Sequence, residues 1–362
     1  MKIAIIGAST GQLPLCIKAK ELGIETICFA WEEGAVCKNY ADKFYPISVT
    51  DKDEIVKICL SEKVDGVISN ASDLLAEVSA YISESLGLNG NSYQCIRNIR
   101  NKRYVREISK SIKYLESIKY YTTKESIEYP CVVKPITGAA KKGVSYVSNR
   151  VEIEDAIRYT CSSEEDIIIE QYIEGLEISV ETISYKKQHY ILQFTDKDSS
   201  GAPHFVELGH HQPSIIKDEI KQKLHIIIPE LLDKLNYENG ASHIEFKIDN
   251  NGRIYLIEVN PRGGGDEISA KLVKISTGYD YIQGMINVAL DNFKEPFITE
   301  NKYSGIYYLC EQTKNLLQVF QEQEKIWIIE KKILDYNLNK ASGNYDRNGY
   351  LIYNSSFPRP LT

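Results

Sequence analysis

His243-Ile-Glu245-Phe-Lys247-Ile-Asp249-Asn-Asn-Gly252-Arg-Ile254-Tyr-Leu-Ile-Glu258-Val-Asn260-Pro-Arg262 is the stretch that decides how this 362-residue chain is read. Two runs of alternating character flank Asp-Asn-Asn-Gly, a strong hairpin signal. A four-residue loop, Asp249 to Gly252, pairs Ile248 with Arg253 and sets Glu258 opposite His243. One face then carries His243, Glu245, Lys247, Ile254, Leu256 and Glu258. The other carries Ile244, Phe246, Ile248, Tyr255, Ile257 and Val259, nearly all apolar, and is the packed side. Glu245 and Glu258 become diagonal neighbours about 7–8 Å apart at the backbone, close enough for their side chains to converge on one or two cations. A slip of one residue would send the two acids to opposite faces.

Two carboxylates with the amide oxygen of Asn260 suit a hard cation such as magnesium, which keeps waters and takes oxygens from substrate phosphates. Arg262 follows on Pro-Arg-Gly263-Gly264-Gly265, where missing side chains allow a ligand close to the backbone. An arginine beside a metal-bound phosphate neutralises charge that develops in phosphoryl transfer. A surface hairpin with solvated acids is the plainer alternative. Two acids on one face, then Asn-x-Arg and three glycines, weigh against it.

Upstream, Ile3–Ile6 reads as a buried strand running into Gly7-Ala-Ser-Thr-Gly11 and a helix to about Leu22. Strands at 25–29 and 64–69 alternate with helices at 53–62 and 73–86. That order predicts a parallel, doubly wound sheet over residues 1–90, with Gly87-Leu-Asn-Gly90 as the boundary. From 91 to 296 strand-like runs follow one another (131–134, 144–147, 167–171, 178–185, 190–194), an α+β pattern, mostly antiparallel. A long amphipathic helix is expected from about Pro213 to Leu235, and two more between Asp266 and Leu290. Short runs at 305–310 and 325–330 and a Pro-rich tail suggest a small third unit over 297–362. The fold class is therefore α/β with α+β.

Bulk properties narrow the function. Hydrophobic residues make up 43% and charged residues 26%, an ordinary globular balance, and the net charge of −7 has no basic stripe of a nucleic-acid binder. No apolar run is long enough for a membrane span, and the N-terminal run is too short for a signal peptide. Eight cysteines are scattered without a Cys-x-x-Cys pair. Reduced, buried thiols in a cytoplasmic protein are expected rather than zinc ligands or disulfides.

These residues resemble the ATP-grasp superfamily. Glu245 with Glu258-Val-Asn260-Pro-Arg262 resembles its magnesium-binding hairpin, and other segments follow in the family's order. Tyr129-Pro-Cys-Val-Val-Lys134-Pro resembles the strand whose lysine contacts the nucleotide phosphates. Gly138-Ala-Ala-Lys141-Lys142-Gly143 resembles the loop that closes over them. Glu170-Gln171-Tyr-Ile173-Glu-Gly-Leu-Glu177 resembles the hinge whose first acid and backbone contact adenine and whose last acid holds the ribose. Asn101-Lys102-Arg103, with Arg106 a turn later, resembles the helix that offers a phosphate-binding lysine. The resemblance covers roughly residues 1–295 and implies a pre-ATP-grasp domain at 1–90, an ATP-grasp domain at 91–296 with a lid at about 112–175, ATP and Mg2+ as cofactors with Mn2+ able to substitute, and a homodimer. Glu207-Leu-Gly-His210-His-Gln-Pro213 and Glu258-Val-Asn-Pro-Arg262-Gly-Gly-Gly-Asp266 are most similar to the L-amino acid ligase and carnosine synthase group. In that group the arginine four residues after the second metal acid stabilises the tetrahedral intermediate, which maps to Arg262.

Each assignment has a plainer counterpart. Lys134 ends an apolar strand, where phosphate is the favoured partner and a structural ion pair the alternative. Lys141 and Lys142 are either a solvated loop tip or reach the phosphates on closure. Glu177 is an edge acid or a ribose acceptor. His210 is structural or contacts substrate, together with Gly263 and Gly264, while His243 shares the acidic face in a supporting role. Gly7–Gly11 is not Gly-x-Gly-x-x-Gly, so a dinucleotide site is a weak reading.

The expected activity is ATP-dependent joining of a small carboxylate, most simply an amino acid, to an amine through an acyl phosphate. Magnesium is expected on Glu245, Glu258 and Asn260, and oxyanion stabilisation from Arg262 and the glycine-loop amides. Neither nucleic acid nor membrane is an expected partner. Alternatives within the class are a bicarbonate-using enzyme and a ligase that amidates a sugar acid or natural-product precursor. A silent nucleotide-binding module and a nicotinamide oxidoreductase are alternatives outside it.

Overall fold

The structure, a computed structural model, describes residues 1–138, 143–160, 166–322 and 325–361. The first strands are β1 (Lys2–Ile6), β2 (Glu25–Phe29), β3 (Lys43–Tyr45) and β4 (Gly66–Ile68). They form a parallel sheet in the order β3-β2-β1-β4. Side chains alternate along a strand. Ile3 and Ile5 therefore pack with Leu15, Cys16 and Ala19 of helix α1 (Leu13–Glu21), while Ala4 and Ile6 face α2 (Lys52–Glu62) and α3 (Asp73–Leu86). Burial on both faces is why β1 reads as an unbroken apolar run. The Ser72 hydroxyl caps α3 by accepting the Leu75 N–H, and Gly87 ends it in the left-handed region at φ +65°.

Helices α4 (Tyr93–Arg100) and α5 (Lys102–Ser109) and the short strand β5 (Leu115–Glu116) lead into a small antiparallel sheet. It contains β6 (Tyr120–Tyr121), β7 (Cys131–Pro135), β8 (Ser145–Val147) and β9 (Ile167–Gln171) in the order β6-β9-β7-β8, with α6 (Ile153–Thr160) packed on it. The large sheet is built from β10 (Leu176–Tyr185), β11 (Gln188–Ser199), β12 (Glu207–Gln212), β13 (Gly240–Ile248) and β14 (Ile254–Asn260). Later strands β15 (Tyr303–Leu309), β16 (Ile328–Ile333) and β17 (Gly349–Ser355) extend it to the order β16-β17-β15-β12-β11-β10-β13-β14-β5. Strands from beyond residue 297 thus hydrogen-bond into the central sheet through the β12–β15 pair.

Helix α7 (Asp218–Lys234) covers the apolar face of this sheet, and Leu224, Ile227, Ile228 and Leu231 pack against Ile244, Phe246 and Leu256. The helix begins five residues after the expected Pro213. Asp196 accepts hydrogen bonds from the Ser214 hydroxyl and the Ile215 N–H, and these hold the intervening residues in a loop. Downstream, a π-helical turn (Ile268–Leu272) runs into α8 (Val273–Thr277), followed by α9 (Tyr281–Ala289). The described cysteines are buried and unbridged, and no described helix is long and apolar enough to cross a membrane.

The decisive hairpin forms, but not in the expected register. Ile248 pairs with Ile254 rather than Arg253. The loop is five residues long because the Asp249 carboxylate accepts the N–H groups of Asn251 and Arg253, both at 2.9 Å, and draws Arg253 into the turn. Left alone, that extra residue would place Glu258 on the apolar face. A β-bulge at Ile257 restores it: Phe246 pairs with Leu256, but Glu245 pairs directly with Glu258 and His243 with Asn260. The two acids are therefore directly opposed, not diagonal. Ile254 and Leu256 join the apolar core, whereas Tyr255 and Ile257 turn to the other side with Ile118 and Ile173. The bulge is held from outside the sheet, because Arg106 Nη2 donates to the Ile257 carbonyl at 2.8 Å.

Candidate active site

Opposite the α7 core the large sheet presents a polar band. Register carries it across five strands: Asn260 and Glu258 of β14 face His243 and Glu245 of β13, and Lys247 follows. These three face Glu181, Ser179 and Glu177 of β10, which face Gln193, Thr195 and Lys197 of β11, and Lys197 faces His210 of β12. Polar residues at period two thus become contiguous in three dimensions.

Within the band charges are paired. Lys197 Nζ lies 2.9 Å from Glu245, 2.9 Å from Glu207 and 3.2 Å from Glu177. Burial alone would lower its pKa, but the charges of Glu207, Glu245 and Glu177 hold it well above the usual lysine value. Glu245 also accepts from His243 Nε2 at 3.1 Å, and His243 Nδ1 contacts Glu181. Burial pulls His243 down, yet Glu181 and Glu245 raise it to about 9. Lys102 Nζ sits 2.8 Å from Glu258 and 3.4 Å from the Gly138 carbonyl.

Between the band and the small sheet runs an open cleft. Lys102, Lys134, Gly138, Glu170, Gln171, Ile173, Glu177, Glu245 and Glu258, nine of the residues expected from the sequence to bind nucleotide or metal, line it. Val132, Ile118 and Ile257 supply apolar surface and Tyr172 and Phe205 aromatic surface, a combination suited to a flat base. Gly143, at φ +73°, is in the left-handed region, and an added Cβ would come within 3.1 Å of the Thr160 carbonyl. Lys141 and Lys142 lie outside the described residues.

Four of the expected site residues, Glu170, Lys134, Gly264 and His210, have partners within the protein. Glu170, expected against adenine, is committed to cations: Arg106 Nε donates to it at 2.6 Å and Lys134 Nζ lies at 2.5 Å. Burial pushes its carboxyl up, but Arg106 and Lys134 outweigh this and hold it at about 2. Lys134 accordingly makes the ion pair that was the alternative to phosphate. Gly264, expected to offer its amide to an oxyanion, donates that N–H to Glu181 Oε2 at 3.0 Å. Its lack of a side chain serves packing, since a Cβ would come within 2.9 Å of Glu181 Oε1 and His243 Nδ1, and one at Gly263 within 2.8 Å of Asn70 Oδ1. His210 is buried to 1% exposure and does not line the cleft. Its Nε2 lies 3.5 Å from Glu207 and 3.4 Å from Asp266, and Asp266 is clamped in turn by Arg347 at 2.7 and 3.0 Å.

Arg262 is held at three points. Its Nε donates to Asp73 at 3.1 Å, Nη1 to the Gly263 carbonyl at 3.1 Å and Nη2 to Asn260 Oδ1 at 3.3 Å. Asp73 belongs to the first turn of α3, so the N-terminal unit orients the arginine. An all-oxygen set of two opposed carboxylates and a neighbouring amide, already attracting two lysines, fits a hard divalent cation.

Residues 127–271 match the family model described as ATP-grasp domain. These residues are an ATP-grasp domain. The chain is 28% identical over 185 residues to the D-alanine--D-alanine ligase of Thermosipho africanus, covering 48% of this chain and 49% of that protein. It is 26% identical over 274 residues to the alanine--anticapsin ligase of Bacillus amyloliquefaciens, covering 65% of this chain and 56% of that one. The chain thus spans about half the length of these curated relatives. In fold it is similar to the L-amino acid ligase of Bacillus licheniformis, with a TM-score of 0.78 at 24% identity over 98% of this chain and 93% of the other. The large sheet that carries this ATP-grasp domain's polar band continues beyond residue 271 into β15, β16 and β17.

Sequence reading missed Lys197 at the centre of three carboxylates, Glu181 beneath His243, and Asp73 behind Arg262. Glu181 had a signal: Glu177, Ser179 and Glu181 stand at every second position of β10, alternating with Ile178 and Val180. Asp73 and Lys197 had none, because their partners lie far away in sequence.

Proposed function

We propose that the protein is an ATP-dependent carboxylate–amine ligase that produces ADP and phosphate, with an amino acid as one substrate. The observation that carries this reading is the direct opposition of Glu245 and Glu258 across β13 and β14, with Asn260 beside them and Arg262 held two residues on. Glu245, Glu258 and Asn260 would hold Mg2+, which when bound supplies positive charge to the nucleotide phosphates. The apolar and aromatic wall of the cleft takes the base, Glu177 the ribose hydroxyls, and Lys102 the phosphates.

In the first step the substrate carboxylate oxygen attacks the γ-phosphorus of ATP. The bond to the bridging oxygen breaks, giving an acyl phosphate and ADP. In the second step the amine nitrogen attacks the acyl carbon, the C–O bond to phosphate breaks, and the amine's proton leaves to solvent. Arg262, fixed by Asp73 and Asn260, faces the charge that builds on the acyl oxygen. The apolar cleft wall excludes water that would hydrolyse the acyl phosphate.

The test is ADP release by the purified protein with Mg2+, ATP and pooled amino acids, beside Glu258→Gln. Release that depends on amino acid and falls at least about 100-fold in the variant is expected. Amino-acid-dependent release that persists in Glu258→Gln would overturn the reading.

A further inference from the structure

One buried chain of contacts is used by none of the steps above. It starts at the Gly264 N–H, which donates to Glu181 Oε2 at 3.0 Å. Glu181 Oε1 contacts His243 Nδ1, and His243 Nε2 lies 3.1 Å from Glu245 Oε1. Glu181 is fully buried and His243 is 4% exposed, so solvent does not compete for either partner. Both ring nitrogens of His243 face carboxylate oxygens, so the ring donates in both directions and is fixed about its own axis.

The far end of the chain is pinned as well. The Ser269 hydroxyl donates to the Gly264 carbonyl at 2.6 Å and accepts from Asn70 Nδ2 at 3.0 Å. Gly264 is thus gripped at its N–H from the large sheet and at its carbonyl by Ser269, whose hydroxyl is itself held by Asn70 of the N-terminal unit. At the near end, Lys197 and His243 both bond to Oε1 of Glu245, at 2.9 and 3.1 Å. Among the described residues, no bond falls on Oε2, which is left to a cation.

We propose that Glu181 and His243 are positioning residues: a buried relay that fixes the Glu245 carboxylate and the Gly263–Gly264 backbone together, so that the cation site and the loop carrying Arg262 are set by one hydrogen-bonded unit. Neither residue reaches the reacting atoms. Their effect is to keep the Glu245 carboxylate from rotating and to keep the Arg262 loop at a fixed distance from it. Partners that orient a ligating carboxylate in this way are worth 10–100-fold in metal affinity. The inference rests on the cation site proposed above.

The experiment uses the full chain with Mn2+ and ADP as probes. Free Mn2+ is followed by electron paramagnetic resonance in the wild type, Glu181→Gln and His243→Gln, and ADP binding in EDTA is followed separately. Glu181→Gln keeps the size and the oxygen that accepts from Gly264 but loses the charge that holds His243. The relay predicts a fall in Mn2+ affinity of about tenfold or more in either variant, with metal-free ADP affinity within about twofold of wild type. Mn2+ affinity unchanged in a folded variant would overturn the relay and leave the cation site standing. A wild type that binds no Mn2+ with ADP would overturn both. Should Glu181→Gln fail to fold, His243→Gln decides the question alone, since it leaves the Glu181–Gly264 bond in place.

Discussion

Glu170 is a carboxylate buried between two cations, Arg106 and Lys134, and Arg106 also reaches the carbonyl of the bulged Ile257. This residue and Arg106 therefore tie α5, the small sheet and the β13–β14 hairpin to one another. Removing its charge leaves two buried cations uncompensated, which costs about 3–5 kcal/mol. Glu170→Gln is expected to lower the unfolding free energy by that amount in urea at neutral pH, and a loss below about 1 kcal/mol would contradict the account. The pH dependence has a defined sign. The Glu170 carboxyl is held at about 2 in the fold against an ordinary 4.5, so its stabilisation is complete above 4.5 and is lost as the pH falls toward 2. Wild-type stability should therefore fall more steeply across that window than the stability of Glu170→Gln. The sequence marked Glu170 by its place in a motif. It could not show that the acid is spent on protein cations, because Arg106 lies 64 residues away and only the fold brings it near.

At the scale of the element, the β13–β14 hairpin shows what alternation in a sequence can and cannot specify. Two acids on one face and an apolar other face were legible from the period of two. The register was not, because the Asp249 carboxylate lengthens the turn by one residue and a bulge at Ile257 compensates for it. The two departures cancel at Glu258 but not at Ile254 to Ile257, whose faces are exchanged relative to the sequence reading. Helix α7 was legible along its apolar stripe, while its start was displaced by side-chain bonds from Asp196, which no local pattern announces. Phe246 lies fully buried beneath this hairpin among Leu224, Ile228 and Leu256. Phe246→Ala should cost about 3–5 kcal/mol by denaturant titration, through lost burial and the cavity left behind. A cost near that of an exposed substitution would mean that the hairpin does not pack as described.

For the molecule as a whole, the last strands matter most. Sequence patterning suggested a small third unit over 297–362, and in the fold β15 pairs with β12 along Gly209 to Gln212 and brings Tyr307 and Tyr353 against His211. Separate short runs cannot reveal which distant strand they will join, since pairing partners are set by topology rather than by local composition. Removing residues 297–362 would expose the edge of β12, with the histidines that lie under it, and unpaired edges invite association. That truncated chain is expected to elute as aggregate in size-exclusion chromatography, and a monodisperse, folded fragment would contradict the placement. The central claim concerns the whole assembly of N-terminal unit, cleft and polar band: that ATP activates a carboxylate by phosphorylating it. The most direct measurement is oxygen transfer, using ATP, Mg2+, an amine and the amino acid that supports ADP release, labelled with 18O in its carboxylate. The account predicts one 18O atom from the substrate in the inorganic phosphate released with each ADP. Unlabelled phosphate, or label in AMP, would contradict it.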